Sequence, residues 1–324
     1  MRDTTINEVS RAGRNDAFGR SALVALAVFL SMFSAAAAEP EDVWLLSTRG
    51  APRCGVLENA ADNIAHRKLL DGCRCGAADP ADFQTDDQTP IVVYIHGNNT
   101  EADEAVFKGM YAYQTIRSAV GCRSFRFVIW SWPAGRVCRR HRDDVNLKAG
   151  YCDVDGYYLA VWLDRLPPAA KVSLIGHSFG PRIISNALEL LAGGEVAGRR
   201  LPEDIAGNWR EGKRNSFRAV FLAAAIDADW LAPQSRYGNA LSLVEEVLIS
   251  QNCCDRALRF YPRVHGCDWS EAMGYLGPTG IGNPSKVRVV DVSCTVGKPH
   301  NWRGYCSAAN IFSQWSRFVF LDDE

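Results

Sequence analysis

A serine flanked by glycines, at residues 176–180 (GHSFG), is the feature of this chain that most directly suggests chemistry. The pentapeptide fits the pattern G-x-S-x-G and lies between an apolar run that ends at Ile175 and a helix-like segment. In a tight turn from strand to helix, glycines such as Gly176 and Gly180 avoid clashes around the nucleophile, and the serine oxygen projects above the sheet. The alternative is a Gly/Ser-rich turn that only caps a helix. The setting favours Ser178 as the nucleophile of an acyl transfer.

A serine nucleophile needs a general base, most often a histidine, and a carboxylate that orients it. In an arrangement of this kind the acid and the base follow the serine along the chain, each on a loop after a later strand. Of the six histidines, only His300 follows the last predicted strand, at 287–292. His265 precedes that strand, His96 and His177 belong to the turns around the site, and the other two precede the serine. His300 is therefore the predicted base.

Asp255 is the predicted acid, because it follows a predicted strand at 247–250. Asp227 and Asp229 are the alternatives. They lie just past the preceding strand, at 217–226, and some hydrolases of this kind place the acid one strand earlier. Position along the chain favours Asp255 and leaves the other two open.

Backbone N–H groups are expected to stabilise the oxyanion that forms when a serine attacks a carbonyl. One donor is predicted to be Phe179, the residue after the nucleophile, and the other Asn98, on the loop after the strand at 91–95. Gly97 would let that loop fold back towards the serine. The simpler interpretation of residues 98–99 is a turn and a helix N-cap, which is compatible with this role because only the backbone is used.

Strands and helices alternate along the chain, which is typical of βαβ units. The strands are predicted at 43–47, 91–95, 125–131, 171–175, 217–226, 247–250 and 287–292. The helices are predicted at 101–118, 156–166, 181–191, 241–247 and 308–320, and the segment 50–90 is predicted to be a loop with one short helix near 63–70. This order predicts an α/β protein with an open, mostly parallel sheet, helices on both faces, and a site at the carboxyl ends of the strands.

Five motifs in this order resemble a bacterial alpha/beta-hydrolase family of unknown function that is similar to esterases and lipases. They are VYIHGNN (93–99), WSWPAG (130–135), IGHSFG (175–180), AAIDAD (224–229) and SQNCCDRAL (250–258). The resemblance implies the alpha/beta-hydrolase fold, a mostly parallel twisted sheet with helices on both faces. It also implies a triad of Ser178, Asp255 and His300. The cysteine-rich regions at 54–75 and 253–254 depart from the usual pattern.

Composition indicates one globular domain and excludes several classes of partner. The 324 residues are 47% hydrophobic, and no repeat or linker-like stretch divides residues 39–324. The net charge of −1 provides no global basic field of the kind that holds nucleic acid. Acyl transfer through a serine needs no cofactor, and the cysteines at 73–75 and 253–254 lack the spacing of a structural zinc site. We therefore expect no cofactor, no metal and no nucleic acid.

The first 38 residues have the order of a secretory signal peptide. Arginines at 2, 11, 14 and 20 precede the uncharged run 21–38, which ends in four alanines before Glu39. Cleavage after Ala38 would leave a mature domain at 39–324 in the periplasm or outside the cell, with no stable membrane insertion. The alternative is that residues 21–38 remain as an inner-membrane anchor, since their length is at the lower edge of a spanning helix.

All eleven cysteines lie beyond this segment, as expected for an exported protein held by disulfides. The nearest pairings are Cys54 with Cys73 or Cys75, and Cys138 with Cys152. The adjacent cysteines at 253–254 would reach two different partners and so pin the loop that carries Asp255.

These patterns predict an exported serine hydrolase that cleaves a carboxylic ester or a related acyl bond of a small-molecule substrate through an acyl-enzyme. Aromatic residues at 130, 132, 157, 158 and 162 could line an acyl pocket, although such residues more often belong to the core. The alternatives are a non-catalytic periplasmic binding module that keeps the hydrolase fold, and a membrane-tethered partner protein.

Overall fold

A nine-stranded sheet organises the chain. The structure, a computed structural model, describes residues 42–322 except 56, 58, 72–73, 84–87, 213–214 and 265–269. The predicted signal peptide or anchor at 1–38 lies outside the described residues, as do Cys73, Cys267 and His265.

The sheet is mostly parallel, as predicted. Its strands are Val43–Ser47 (β1), Ala65–Asp71 (β2), Arg74–Ala77 (β3), Ile91–Ile95 (β4), Arg126–Ser131 (β5), Lys171–His177 (β6), Ser216–Leu222 (β7), Val244–Gln251 (β8) and Val287–Asp291 (β9). They are ordered β3-β2-β1-β5-β4-β6-β7-β8-β9. The pairs β1–β2 and β2–β3 are antiparallel, and all other neighbours are parallel.

The helices connect the parallel strands and cover the sheet. The longer ones are Ala102–Val120 (α1), His141–Asp164 (α2), Gly180–Leu191 (α3) and Glu203–Glu211 (α4). The shorter ones are Arg256–Arg259 (α5), Tyr261–Val264 (α6), Met273–Leu276 (α7), Ser293–Val296 (α8), Trp302–Ser307 (α9), Ala309–Phe312 (α10) and Trp315–Phe318 (α11). Helix α1 connects β4 to its neighbour β5, and α2 then crosses back over β4 to connect β5 with β6 on the other side. Because such crossovers are right-handed, α1 and α2 lie on opposite faces of the sheet.

Strand order changes direction at β4, between its neighbours β5 and β6. All five side chains of β4 are buried, as expected for the centre of a parallel sheet. The β4–β6 register pairs Ile95 with Gly176, so the loop after β4 starts beside the turn that carries Ser178. This is the position at which open α/β sheets bind ligands.

Two predictions for the N-terminal half of the chain are wrong. The segment 50–90 contains the β2–β3 hairpin, which pairs with β1, instead of a loop with a helix at 63–70. Only Leu69 is buried among the side chains at 65–70, so the pattern gave little sign of a strand that forms by pairing with β1. Helix α2 begins at His141, well before the predicted start at 156, because its buried face includes charged residues such as Asp144 and Asp155 that obscure the periodicity.

Three later boundaries also differ from the predictions. The segment 241–247 is not a helix: it holds the end of a short 3-10 turn, Ala240–Ser242, and the start of β8. Strand β7 ends at Leu222, not at 226, and the predicted helix at 308–320 is divided between α10 and α11. Apolar residues at 241, 244 and 247 recur at the spacing of a helix face, but over so short a segment this spacing does not distinguish a helix from the start of a strand, which accounts for the first of these errors.

The predicted local disulfides do not form among the described cysteines. Thiols are free at positions 54, 122, 138, 152, 253, 254, 294 and 306. Cys152 is completely buried within α2, whereas Cys138 lies in a partly exposed turn before that helix, so the pairing of these two is wrong. Within the part of the chain that the structure describes, no helix is both long and apolar enough to cross a membrane.

Candidate active site

Loops at the carboxyl ends of β6, β8 and β9 bring Ser178, Asp255 and His300 together. Nε2 of His300 lies 2.9 Å from Oγ of Ser178, and Nδ1 lies 2.8 Å from Oδ2 of Asp255. Because a carboxylate only accepts, Nδ1 carries the proton and Nε2 is left to accept from the serine hydroxyl. The three side chains form one continuous hydrogen-bonded chain.

The turn that carries Ser178 needs both of its glycines. A Cβ on Gly176 would lie 2.5 Å from the backbone nitrogen of Pro181, and a Cβ on Gly180 would lie 2.4 Å from the carbonyl oxygen of Ile95. Both distances are shorter than any van der Waals contact, and both involve backbone atoms that cannot rotate away. Both positions therefore require glycine because a side chain there would clash with the backbone, as the G-x-S-x-G pattern predicts.

Ser178 itself has a strained backbone, with a φ of 57°. A non-glycine residue in this left-handed region costs about 1–3 kcal/mol and persists only where its surroundings hold it. Here the end of β7 supplies that support. The N–H of Ser178 donates to the carbonyl of Leu222, and the N–H of Ala225 donates to the carbonyl of Ser178, each at 2.9 Å.

Asp255 is completely buried and accepts four hydrogen bonds. It is the N-cap of α5, where Oδ1 accepts from the N–H groups of Ala257 at 2.8 Å and Leu258 at 3.1 Å. Its Oδ2 accepts from His300 and, at 2.6 Å, from the hydroxyl of Tyr305. Burial favours the neutral acid, but these donors, His300 foremost, outweigh it and lower the pKa of Asp255. The carboxylate is held in its charged form.

Tyr305 is a site residue that the sequence analysis missed. It lies on α9, five residues after His300, and its side chain is completely buried. Its hydroxyl accepts from Nδ2 of Asn252 at 2.9 Å while it donates to Asp255. Burial, then the adjacent carboxylate, raises the pKa of Tyr305. No spacing rule marks this tyrosine, because its role depends on how α9 folds back over the acid loop.

The alternative acids lie elsewhere. Oδ1 of Asp227 accepts from the hydroxyl of Tyr261 at 2.6 Å, and burial raises the pKa of Asp227. Asp229 is exposed. The carboxylate in contact with His300 is that of Asp255.

The loop after β4 lies directly against the serine. A Cβ on Gly97 would be 2.8 Å from Cβ of Ser178, so only glycine permits this approach. Asn98 and Phe179, the two predicted oxyanion donors, line the same pocket as Ser178. The loop is braced from within, since the Thr100 hydroxyl donates to the carbonyl of Gly97 at 3.0 Å.

His96 and Trp132 hold the start of this loop. Nδ1 of His96 lies 2.9 Å from the carbonyl of Gly97 and must donate to it, so Nε2 accepts from the N–H of Trp132 at 3.3 Å. The indole N–H of Trp132 donates to the carbonyl of His96 at 2.8 Å, and the two rings stack with centroids 5.6 Å apart. Complete burial lowers the pKa of His96 to about 3, which keeps the imidazole neutral.

A second neutral imidazole lies beside the catalytic candidate. The ring centroids of His177 and His300 are 5.1 Å apart. Burial, and after it the nearby His300, lowers the pKa of His177 well below its usual value. The imidazole of His177 is therefore neutral, and among the described histidines it is His300 that contacts Oγ of Ser178.

A small pocket opens over the serine, with a volume of about 170 Å³. It is lined by Asn98, Asn99, His141, Val145, Ser178, Phe179, Ala225, Ala257, Leu258, Tyr261, Val264 and His300. The tryptophans at 130, 132 and 162 and Tyr158 are buried in the core and do not line it. Among the described residues, no group of three or more His, Cys, Asp or Glu could hold a metal ion.

Comparison with known proteins identifies a family. The sequence profile described as "Alpha/beta hydrolase of unknown function (DUF900)" matches residues 79–268, which is more than half of the chain. The match includes Ser178 and Asp255 and ends before His300. No curated protein matches the chain. With its mostly parallel sheet and its strand-turn-helix serine, the chain has the alpha/beta-hydrolase fold and belongs to this family of alpha/beta hydrolases of unknown function.

Proposed function

We propose that this protein is a serine hydrolase that cleaves a carboxylic ester or a related acyl bond. The observation that carries the proposal is the unbroken chain of contacts from Ser178 Oγ through the imidazole of His300 to the carboxylate of Asp255. Nucleophile, base and orienting acid stand in hydrogen-bonding range before any substrate binds, which is the arrangement that serine catalysis requires.

In the proposed reaction Ser178 attacks the acyl carbon while its proton passes to Nε2 of His300. The N–H groups of Phe179 and Asn98 receive the negative charge that develops on the carbonyl oxygen. The tetrahedral intermediate then collapses, the carbon–oxygen bond to the alcohol breaks, and His300 returns the proton to the departing oxygen. A water molecule, activated by His300 in the same way, releases the acid and restores the serine.

Asp255 has the electrostatic properties that this mechanism needs. Its depressed pKa keeps it charged, so that it can hold Nδ1 of His300 and stabilise the imidazolium that forms in each step. Tyr305 acts as a positioning residue, because its hydroxyl fixes the oxygen that receives the histidine.

We further propose that the enzyme is exported and that cleavage after Ala38 gives a mature chain beginning at Glu39. The order of arginines, apolar run and alanines at the N-terminus supports this. Intact-mass measurement of protein recovered from the producing cells tests it. A membrane-bound protein of full-length mass would instead indicate an anchor at 21–38.

A fluorophosphonate probe tests catalysis without knowledge of the substrate, since it modifies only activated serines. We expect one labelled residue, Ser178, no labelling of Ser178→Ala, and unchanged labelling of the control Ser118→Ala, which alters an exposed serine on α1. His300→Ala should remove labelling without unfolding the chain, because its side chain is not part of the core. Folded, unlabelled wild-type protein would refute the proposal and favour a non-catalytic binding module.

A further inference from the structure

Positive charge is concentrated around the pocket although the whole chain carries a net charge of −1. Three stretches of the chain contribute residues to the pocket wall and carry this charge: 136–145, 255–264 and 297–303. Together they hold nine Arg and Lys residues and three Asp residues. Such local asymmetry around a cleft raises the concentration of oppositely charged ligands at its entrance.

The basic side chains next to the lining residues are exposed. Arginines flank the lining residue His141 on both sides, three more border the lining segments of α5 and α6, and a lysine precedes His300 by two residues. We call this set the basic rim; it comprises Arg140, Arg142, Arg256, Arg259, Arg263 and Lys298. Within the described part of the chain, none of the six forms an ion pair.

The carboxylates of the same stretches do not neutralise the rim. Asp144 is buried, and its Oδ1 accepts from the N–H groups of Val137 and Cys138, each at 2.7 Å. Asp255 is committed to the triad and to the N-cap of α5. Only Asp143 is an exposed carboxylate there.

On the opposite wall, beyond Asn99, Glu104 is 3.9 Å from Nζ of Lys108, which balances its charge. Glu101 and Asp103 are exposed carboxylates on that wall, outside the three basic stretches. Among the described residues of the three stretches, the six positive charges of the rim therefore exceed the one exposed carboxylate, Asp143.

The pocket limits what can enter beside the serine. Its volume of about 170 Å³ is below the range of roughly 300–1,000 Å³ that is typical of sites for drug-sized ligands. Apolar side chains, including Val145, Leu258 and Val264, form much of its wall. It suits a short acyl group, with the remainder of the substrate lying at the rim.

We propose that the natural substrate is a small ester with a short acyl group and an anionic alcohol portion, a carboxylate or a phosphate, held by the basic rim. This inference rests on the proposed function and assigns a substrate class to the same site. The acyl group occupies the pocket at Ser178, and the charged alcohol portion meets the arginines of α2, α5 and α6.

Matched acetate esters test the charge alone. The carboxylate arm compares 4-acetoxybenzoate with its neutral methyl ester, and the phosphate arm compares 4-acetoxyphenyl phosphate with its neutral dimethyl ester. We expect kcat/KM to be about tenfold or more higher for the anion in at least one arm at low salt, and the preference to shrink at high salt. The arm with the larger preference identifies the anion.

Charge reversal locates the effect. In Arg259→Glu/Arg263→Glu the ratio of anionic to neutral kcat/KM should fall about tenfold or more, whereas the control Arg67→Glu, on exposed β2, should keep the wild-type ratio. Hydrolysis of neutral esters without anionic preference, or a preference that survives charge reversal, would overturn the inference and leave the proposed function intact. Failure to hydrolyse any ester, together with absent fluorophosphonate labelling, would refute both.

Discussion

Acid should weaken this protein through His96, an imidazole that the fold keeps neutral. Its side chain is fully buried, and both of its nitrogens are committed: one donates to the carbonyl of Gly97, and the other accepts from the N–H of Trp132. A second proton, on Nε2, would point the new N–H of His96 at the N–H of Trp132 and would bury a positive charge away from solvent. Burial accordingly lowers the pKa of His96 from 6.5 to about 3.

The size of the effect follows from proton linkage. Because the folded pKa lies below the unfolded one, the unfolded chain binds the proton more tightly, and stability is lost as pH falls from about 6.5 towards 3. Between pH 7 and pH 5 this group alone lowers the free energy of unfolding by about 2 kcal/mol. Asp155 and Asp227 contribute with the opposite sign, since burial raises the pKa of each carboxyl above its unfolded value.

Comparison with His96→Gln isolates the contribution. Urea unfolding at pH 7, 6 and 5 should show the stability difference between wild type and variant shrinking by about 2 kcal/mol, because only the wild type loses the histidine contribution. Thr100→Ala is the control: it removes a different brace of the same loop, the bond to Gly97, and no titratable group. A wild-type minus His96→Gln difference that stays constant with pH would refute the reasoning.

Two further predictions concern the site. Tyr305→Phe removes a donor that lowers the pKa of Asp255, so the pKa of Asp255 should rise. We expect the acid limb of the kcat/KM profile to move to higher pH, with a severalfold loss of kcat. An acid limb that does not move would argue against a positioning role for Tyr305. Gly97→Ala should lower kcat/KM about 100-fold or more, because its Cβ would meet Cβ of Ser178 at 2.8 Å and push away the loop after β4, which carries the proposed oxyanion donor Asn98. The control Gly150→Ala meets nothing within 4 Å and, within α2, should stabilise the fold by up to about 1 kcal/mol.

The sequence was most informative where a structural role depends on neighbours along the chain. Four of the five residues at 91–95 are β-branched and the fifth is Tyr94, and the run forms the central strand β4 with the predicted bounds. The turn at 176–180 is specified by its two glycines, each of which avoids a backbone clash. Because acid and base follow the serine in order, Asp255 and His300 could also be placed beside Ser178 before their contacts were known.

Features that depend on distant segments could not be predicted in this way. The β2–β3 hairpin forms because β1 offers an antiparallel edge, not because 65–71 has a strong strand pattern. Helix α2 buries Asp155, and the apolar periodicity of the helix is interrupted there. The carboxylate is satisfied by a hydrogen bond from Arg53, a residue 102 positions earlier in the chain. The same limit hid Tyr305, whose hydroxyl reaches Asp255 only after α9 folds back.

Chain order left the choice between Asp255 and Asp227 open, and the proposed mechanism favours Asp255 because of the donors that surround its carboxylate. Burial acts on both in the same direction, towards the neutral acid. Asp255 receives two backbone N–H groups at one oxygen and His300 and Tyr305 at the other, enough to lower its pKa. Asp227 receives fewer donors, chiefly the hydroxyl of Tyr261, and its pKa is raised. A carboxylate that must stabilise an imidazolium has to remain charged in the dry interior, and of the two only Asp255 has the donors to do so.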